Sequence, residues 1–323
     1  MRALITGGAG FIGSWLSEEL IQRGFVVKIL DDLSSGKKEN LKNLDQYGNW
    51  EFIQGSILDR NLIAGLLDDV DICFHLAAAL GVRKIIDEPL SSLEINLRGT
   101  ETVVNEVVSK GKQLFLASTS EIYGKNNRQP LTENSDRVLG SPLLSRWSYS
   151  EAKAIDEFLV ATHGQLSNLK FIIGRFFNTV GPRQTGAYGM VLPKFVQAAL
   201  LNEPLEVYGD GSQTRVFCHV KDAVKAVVNL VQTPRAHGEA FNIGGFEETS
   251  IISLARQVIQ SLNSDSEIVL IPFQRAFPQG FEETFRRVPD NSKLSSLTGW
   301  NPIISLDQII YDTAEYFKNK IVK

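Results

Sequence analysis

Cysteine and histidine are scarce in this sequence of 323 residues, which contains two cysteines and four histidines. Cys73 and Cys218 lie far apart and have apolar neighbours, so buried reduced thiols are expected rather than a disulfide framework. No two histidines have metal-ligand spacing with a cysteine or carboxylate run between them. The sequence therefore predicts neither a disulfide scaffold nor a catalytic metal.

Long hydrophobic runs, internal repeats and an excess of positive charge are also missing. No stretch reaches the about 20 apolar residues of a membrane span, and the first residues enter an apolar run without a signal-peptide cleavage pattern. Lysine plus arginine number 33 against 37 aspartates plus glutamates, a formal net charge of −4, so no positive field attracts nucleic acid. These features favour a cytoplasmic protein that binds neither membrane nor nucleic acid.

Strand-like and helix-like segments alternate along the first half of the chain. Hydrophobic residues make up 43% and charged residues 22%, as in globular proteins with a sizeable core. Short apolar runs predict strands at 3–6, 26–30, 52–54, 72–75, 114–117 and 171–174, with helical spacing between them. This alternation predicts an α/β fold with a Rossmann-type, doubly wound parallel sheet.

A glycine-rich turn follows the first predicted strand. Gly7, Gly10 and Gly13 recur every three residues and lead into a helix predicted over 13–23. The first glycine permits a tight turn, the second lets the backbone approach a pyrophosphate, and the third lets the helix pack on the strand. The pattern predicts a dinucleotide site.

An acidic pair, Asp31 and Asp32, follows the second predicted strand. A carboxylate about 20 residues after the glycines accepts hydrogen bonds from the adenosine ribose hydroxyls. The same carboxylate repels a 2′-phosphate. The sequence therefore predicts NAD rather than NADP as the cofactor.

A tyrosine and a lysine lie four residues apart, at Tyr149 and Lys153, on one face of a predicted helix. The apolar residues Ile155, Phe158 and Leu159 of this helix are expected to face the core. An ammonium group beside a phenol lowers the tyrosine pKa from about 10, which makes it a usable base at neutral pH. Tyr149 is therefore the predicted general base.

Several motifs together resemble those of one enzyme family. They are TGGAGFIG (6–13), HLAA (75–78), NLRGT (96–100), STSEIYG (118–124), YSEAK (149–153), RFFN (175–178), GPR (181–183) and NIG (242–244). Nearly end to end, the sequence resembles the extended short-chain dehydrogenase/reductases that act on nucleotide sugars, a group of epimerases, dehydratases and decarboxylases. The resemblance implies a tightly held NAD that oxidises the sugar at C4 to a 4-keto intermediate, with no net redox change over a turnover.

The resemblance also implies roles for individual residues. Tyr149 takes the proton of the C4 hydroxyl, Lys153 holds the nicotinamide ribose, and Thr119 hydrogen-bonds the C4 oxygen. Arg215 matches a family arginine that pairs with the pyrophosphate. Ser56 stands where family members commonly carry an aspartate that reads adenine. Cofactor contacts are expected at Gly7, Gly10, Phe11, Ile12, Gly13, Asp31, Asp32, Ser56, Ile57, Leu76, Ala77, Ala78, Tyr149 and Lys153, and substrate contacts at Ser120, Asn178, Arg183, Arg215 and Arg287.

Two reactions remain open after C4 oxidation. Ser120 stands where dehydratases carry an acidic aspartate, which argues against 4,6-dehydration. Glu121 and Arg287, the latter in RRVPD (286–290), resemble residues of UDP-glucuronate decarboxylases, where they supply an acid and a carboxylate site. Simple 4-epimerisation of a UDP-sugar needs only Thr119, the tyrosine–lysine pair and NAD, and it is the default chemistry of the group. We expect the epimerase first and the decarboxylase as the alternative, with a non-catalytic NAD sensor well behind.

The chain changes character near residue 180, where glycines and prolines interrupt it until helical spacing returns at 222–230 and 306–317. Loops rather than more sheet are expected there, and loops on a rigid scaffold commonly bind substrates. The predicted NAD-binding Rossmann domain is 1–180 and also receives about 216–245, and the smaller, interleaved C-terminal substrate-binding domain is 181–215 plus 246–323.

The resemblance further implies a homodimer. Helices predicted over 96–110 and 150–163 carry long apolar faces, which are suited to contact between subunits. The expected partners are therefore a nucleotide sugar, with UDP as its nucleotide, and a second copy of the chain.

Overall fold

The computed structural model describes residues 1–79, 89–186, 190–276, 282 and 284–321. A parallel sheet of seven strands forms its centre. In spatial order the strands are β3 (Trp50–Gln54), β2 (Val26–Asp31), β1 (Arg2–Thr6), β4 (Ile72–His75), β5 (Gln113–Thr119), β6 (Phe171–Phe176) and β11 (Glu239–Ile243). The strand order reverses between β1 and β4, which creates the crevice where doubly wound sheets bind ligands. The predicted Rossmann-type fold is confirmed.

Helices cover both faces of this sheet. One face packs against α1 (Phe11–Gln22) and α7 (Val220–Val231). The other packs against α2 (Arg60–Leu67), α4 (Thr100–Ser109) and α5 (Ser148–Ser167), and α3 (Pro89–Leu93) precedes a wide helical turn, Glu94–Gly99, that runs into α4. Because successive strand side chains point to opposite faces, Ala3 and Ile5 of β1 enter one core and Leu4 enters the other. Both faces are therefore apolar.

A third hydrophobic core lies in the second half of the chain. It is enclosed by α6 (Val191–Leu200), α8 (Ile251–Leu262), α11 (Leu306–Ile321) and β8 (Leu205–Tyr208). Short strand pairs accompany it: β7 (Thr179–Val180) with β10 (Cys218–His219), β9 (Thr214–Val216) with β12 (Glu248–Ser250), and β8 with β13 (Ile268–Ile271). Two further short α-helices are α9 (Phe273–Ala276) and α10 (Ser292–Thr298).

The expectation that loops dominate beyond residue 180 is wrong, because α6 and β8 occupy much of 191–208. The glycines and prolines there lie between short helices and strands and do not prevent these from forming. Strand β11 pairs with β6 and thus joins the central sheet although it is distant in sequence. The division of the chain into two domains stays a prediction.

Side-chain burial corrects one expectation and confirms another. Ile155 and Phe158 of α5 are 54% and 75% exposed, so the prediction that they face the core is wrong. The buried side of α5 carries Val160 and the polar Lys153 instead. The two cysteines are free and buried, as predicted. Among the helices that the structure describes, none is long and apolar enough to cross a membrane.

Candidate active site

The glycine-rich turn lies between β1 and α1. Gly7 has a φ of 70°, and a Cβ there would lie 2.8 Å from the Ala77 nitrogen. A Cβ on Gly13 would overlap the Gly7 carbonyl oxygen. These two positions therefore require glycine. Gly10 precedes α1, and no side-chain hydrogen bond caps the first turn of that helix. The turn thus leaves a narrow backbone cradle at a helix N-terminus, which suits a pyrophosphate.

Asp31 ends β2 beside this cradle and is buried. Its Oδ2 accepts a hydrogen bond from the Ala9 nitrogen (3.0 Å), and its Oδ1 accepts one from the Leu33 nitrogen (2.8 Å). Burial raises the pKa of Asp31, and these backbone amides oppose that rise. Asp32 is exposed, and its Oδ1 accepts a hydrogen bond from the Ser34 nitrogen (2.9 Å). Of the two carboxylates, Asp31 is therefore the one fixed next to the glycine cradle, where it fits an adenosine ribose.

We expect Asp31→Ala to weaken NAD binding about 10- to 100-fold, because hydrogen bonds to a charged group contribute about 1.5–3 kcal/mol. The variant should also discriminate less between NAD and NADP, because the carboxylate that repels the 2′-phosphate of NADP is gone. Titration calorimetry of cofactor-free protein measures both affinities. Asp32→Ala is the matched comparison and should weaken NAD less. Equal binding of NAD and NADP by the unaltered protein would contradict the assignment.

Most of the other predicted cofactor residues follow β3 and β4, whereas Phe11 and Ile12 begin α1. Ser56 follows β3, and its Oγ accepts a hydrogen bond from the Leu58 nitrogen (3.2 Å). The Ala77 nitrogen donates to Thr6 Oγ1 (3.3 Å), which ties the segment after β4 to the end of β1. Five more of the predicted cofactor residues are partly or fully buried: Phe11, Ile12, Ile57, Leu76 and Ala78. Their roles toward NAD stay predictions.

The predicted catalytic residues gather at the end of β5 and the start of α5. Thr119 is the last residue of β5, and its Oγ1 accepts a hydrogen bond from the Glu121 nitrogen (3.2 Å). Ser150 Oγ donates to the Glu121 carbonyl oxygen (2.9 Å). This bond ties the first turn of α5, which carries Tyr149, to the helical turn Ser120–Tyr123. The chain therefore holds Thr119 and Tyr149 on adjoining elements.

The structure corrects the expected electrostatics of the tyrosine. The Lys153 Nζ donates to Asp156 Oδ2 (3.1 Å) in a buried ion pair one turn further along α5. Burial first, and then the charges of Glu121 and Asp156, raise the pKa of Tyr149 above its ordinary value. The prediction that the Tyr149 pKa lies below its ordinary value is therefore wrong for the protein chain, because burial and the two carboxylates raise it.

A cluster of one carboxylate and two guanidiniums adjoins the tyrosine. Glu121 Oε1 lies 2.5 Å from Arg287 Nη1, and Glu121 Oε2 lies 2.6 Å from Arg146 Nη1. Both arginine side chains are buried, and the Arg146 guanidinium also stacks on the Trp147 ring at 5.0 Å. We call Glu121, Arg146 and Arg287 the arginine clamp.

Backbone pairing brings Arg287 to the clamp from far along the sequence. The Leu131 nitrogen donates to the Val288 carbonyl oxygen (2.8 Å), and the Asp290 nitrogen donates to the Leu131 carbonyl oxygen (2.8 Å). Gln129 Oε1 accepts a further hydrogen bond from the Val288 nitrogen (2.8 Å). These bonds fix the residues on both sides of Arg287, so its position is set by main-chain contacts as well as by Glu121.

The clamp carries one positive charge in excess. Although burial favours the neutral carboxyl, the guanidiniums of Arg287 and Arg146 hold the pKa of Glu121 well below its usual range. Glu121 is therefore ionised at neutral pH in this cluster and has no proton to donate there, and its predicted role as an acid stays a prediction. The buried Nε of Arg287 has no hydrogen-bond partner among the residues that the structure describes. An additional anion would balance the charge and occupy that donor.

Three further residues predicted to contact the substrate are Ser120, Asn178 and Arg215. Ser120 is buried between Thr119 and Glu121. Asn178 Nδ2 donates to the Val216 carbonyl oxygen (3.1 Å), next to Arg215 on β9, whose Nη1 donates to the Thr214 carbonyl oxygen (2.8 Å). All of these roles stay predictions.

Arg183 is tied to α1 instead. Its guanidinium pairs with Glu18 and lies 4.2 Å from the centre of the Trp15 ring. The side chain is buried in this position. Glu18 already pairs with Arg183 and would compete with a substrate for it. A substrate contact by Arg183 therefore stays a prediction.

Two residues of the site were missed by sequence reasoning. Arg146 lies three residues before Tyr149, and Asp156 lies three residues after Lys153. The second spacing is that of neighbouring charges on a helix and was a usable signal. Arg146 has no such local signal, because its partner Glu121 belongs to another element. Within the described ranges, no group of three histidine, cysteine or acidic side chains is placed to hold a metal ion.

The chain is similar to known proteins over nearly its whole length. The family model for GDP-mannose 4,6 dehydratase matches residues 4–313. A UDP-N-acetyl-alpha-D-glucosaminuronate decarboxylase of Bacillus cytotoxicus is 41% identical over 318 residues, which cover 98% of each chain.

Two solved structures have a similar fold. The UDP-glucose 4-epimerase of Thermotoga maritima, solved with UDP-glucose, has a TM-score of 0.89 and 29% identity, with 99% of this chain and all of that chain covered. The dTDP-glucose 4,6-dehydratase DesIV of Streptomyces venezuelae, solved with NAD, has a TM-score of 0.89 and 28% identity, with coverage of 99% and 97%. The cradle and Asp31 described above fit the same cofactor. The chain thus belongs to the NAD-dependent short-chain dehydrogenase/reductase family of nucleotide-sugar epimerases, decarboxylases and dehydratases.

Proposed function

We propose that this protein decarboxylates a UDP-linked hexuronate through a 4-keto intermediate. The observation that carries the proposal is the arginine clamp, whose two guanidiniums face a single carboxylate beside Tyr149. A uronate brings the missing negative charge, whereas a neutral hexose leaves one buried guanidinium charge unbalanced. The Bacillus cytotoxicus relative, named for action on an acetamido uronate, supports the same choice.

NAD held by the glycine cradle and Asp31 would supply reversible hydride transfer at C4 of the sugar. Tyr149 takes the proton of the C4 hydroxyl, and Thr119 donates a hydrogen bond to the C4 oxygen. Arg287 and Arg146 hold the C6 carboxylate and so orient the bond between C5 and C6. When that bond breaks, CO₂ leaves and its electron pair moves toward the C4 oxygen, where the Thr119 hydroxyl and the Tyr149 phenol stabilise the charge.

Solvent water supplies the proton that is then added at C5, because ionised Glu121 has none to give, and Tyr149 returns its proton to the C4 oxygen when the 4-keto group is reduced. We assign Glu121 to holding the two guanidiniums at a fixed separation. Held in this way, the arginines need little rearrangement when the uronate binds, and such preorganisation favours catalysis. The role of Glu121 is therefore positional.

The competing proposal is 4-epimerisation, which the sequence alone placed first. Thr119, Tyr149 and Lys153 suffice for it, and the Thermotoga maritima structure is that of an epimerase. The arginine clamp has no task in the epimerisation of a neutral sugar. We therefore reverse the order expected from the sequence and place the decarboxylase first.

A panel of UDP-sugars tests the choice. Purified protein is incubated with UDP-N-acetylglucosaminuronate, UDP-glucuronate and the corresponding neutral hexoses, and the products are read by mass and proton NMR. The proposal requires a product lighter by one CO₂ from a uronate. Inversion at C4 with unchanged mass would instead establish an epimerase. The two uronates also show whether the site prefers a hydroxyl or an acetamido group at C2.

We also propose that the enzyme is a cytoplasmic homodimer that uses the exposed apolar side of α5. Phe158, Ile155 and Leu166 are exposed on that helix, and Leu90 is exposed on α3. Apolar patches of this kind commonly mark contacts between subunits. The predicted contact helices, 96–110 and 150–163, overlap α4 and α5.

Phe158→Glu should convert the dimer to a monomer, because it places a charge at the centre of an apolar contact. Light scattering at micromolar concentration measures the change in mass. Ile303→Glu is a matched control, since Ile303 is also an exposed apolar residue but lies outside both contact helices. A monomeric unaltered protein, or a dimer that survives Phe158→Glu, would contradict this interface.

A further inference from the structure

A chain of buried hydrogen bonds runs from the glycine-rich turn to the catalytic lysine. Thr6 Oγ1 lies 2.7 Å from His75 Nδ1, and His75 Nε2 lies 3.1 Å from Thr100 Oγ1. Thr100 Oγ1 donates to Asp156 Oδ2 (3.2 Å), and Lys153 Nζ donates to the same oxygen (3.1 Å). All five side chains are at most 2% exposed. The chain thus crosses from β1 through β4 and α4 to α5.

The hydrogen bonds of this chain all run in one direction. At one end, the Ala77 nitrogen can only donate, so it donates to Thr6 Oγ1, whose proton goes to His75 Nδ1. At the other end, the ionised Asp156 can only accept, so Thr100 donates to it and takes a bond from His75 Nε2. Every donor therefore points toward Asp156, and the aligned dipoles stabilise its negative charge.

Asp156 is the titratable group at the end of this hydrogen-bond chain, because its neighbours are held in fixed charge states. Burial, followed by the Lys153 charge, lowers the pKa of His75 to about 3, so the imidazole stays neutral. Glu157, which also faces Asp156, is held by Arg175 through a contact of 2.6 Å. Burial raises the pKa of Asp156, and the Lys153 ammonium and the Thr100 hydroxyl oppose that rise.

We propose that Asp156 is a positioning residue for the reaction: its carboxylate, held by this chain, fixes the Lys153 ammonium one helical turn from Tyr149 and sets the pH range in which the tyrosine works. The proposal rests on the proposed roles of Tyr149 and Lys153 but is independent of the sugar that is turned over. Among the described residues, Glu121, from the turn after β5, also raises the pKa of Tyr149, but its carboxylate belongs to the arginine clamp. The negative charge that a substitution can remove without breaking the clamp is therefore that of Asp156.

Asp156→Asn keeps the shape of the side chain and removes its charge. Since that charge opposes ionisation of Tyr149, the acid limb of the pH profile for C4 oxidation should move about one pH unit lower. This is the small end of the pKa shifts that a nearby charge causes. NAD reduction in a single turnover, followed by absorbance, gives this profile. The part of the tyrosinate absorbance that is lost in Tyr149→Phe belongs to Tyr149. Its titration gives the same pH midpoint in the NAD-loaded enzyme without any substrate. An unchanged acid limb and midpoint in folded Asp156→Asn would overturn the proposal.

Thr100→Val separates the charge of Asp156 from its hydrogen bond, because it removes the hydroxyl and leaves the ionised carboxylate paired with Lys153. Both midpoints should therefore stay close to those of the unaltered enzyme, and a shift as large as that of Asp156→Asn would overturn the proposal. Glu157→Gln is the matched control on the same helix, and it should lower stability through Arg175 without moving either midpoint. If no UDP-sugar is turned over, the proposed function fails, yet the tyrosinate titration still decides the role of Asp156.

Discussion

Tyr149→Phe should fold normally and retain NAD but lose about 10²–10⁴-fold in turnover, the usual contribution of a general base. The phenol is tied to the site through its own helix, because Ser150 bonds to the Glu121 carbonyl oxygen, so removing one oxygen leaves the backbone in place. Burial and two carboxylates raise the pKa of Tyr149, so the loss should be largest at the alkaline end of the working range, where more of the wild-type phenol is ionised.

Steady-state turnover of the preferred UDP-sugar and the NAD content of the purified protein provide the two readouts. Tyr311→Phe is the matched control, since Tyr311 is exposed on α11. It removes the same oxygen and should keep full activity. Wild-type turnover by Tyr149→Phe would remove this tyrosine from the mechanism.

Arg287→Ala should abolish action on a uronate. The substitution takes the excess positive charge out of the arginine clamp and leaves Glu121 paired with Arg146 alone. A substrate carboxylate then meets only Arg146, whose charge Glu121 already balances, at a cost of roughly a few kcal/mol, which corresponds to about a 10²–10³-fold loss in kcat/KM.

The adjacent Arg286→Ala is the control for this prediction. Arg286 is 54% exposed and pairs with Glu248, whereas Arg287 is 7% exposed. Surface pairs contribute little, so Arg286→Ala should change kcat/KM less than a few-fold. If Arg287→Ala mainly raises KM for a neutral hexose and leaves kcat intact, the clamp serves binding alone and the decarboxylase proposal fails.

The fold could be predicted where the determinants are local. The glycine spacing at Gly7, Gly10 and Gly13 fixes β1, the turn and α1, and the alternation of apolar runs fixes the parallel sheet. Strand β11 could not be placed in the same way, because it is short and pairs with β6 across more than 60 intervening residues. Ile155 and Phe158 illustrate a related limit: helical spacing shows which residues share a face but not whether a core or another subunit covers it.

The candidate site, like the fold, has some residues that local motifs predict and others that depend on tertiary contacts. Thr119, Tyr149 and Lys153 are marked by their motifs, whereas the clamp depends on a contact between Glu121 and Arg287, which lie 166 residues apart. The sign of the Tyr149 pKa shift has a similar origin. Sequence spacing places an ammonium near the phenol, but only tertiary structure shows that the phenol is buried, and burial is the largest cause of the rise in its pKa.

The central claim, decarboxylation of a uronate at the arginine clamp, is tested most directly with a UDP-hexuronate labelled with ¹³C at C6. The NAD-loaded enzyme should release one labelled CO₂ for each UDP-sugar consumed, with no NADH accumulating in proportion to turnover. Release should be absent in Arg287→Ala and normal in Arg286→Ala. A product that retains the label at C6, with its C4 configuration inverted, would contradict the claim.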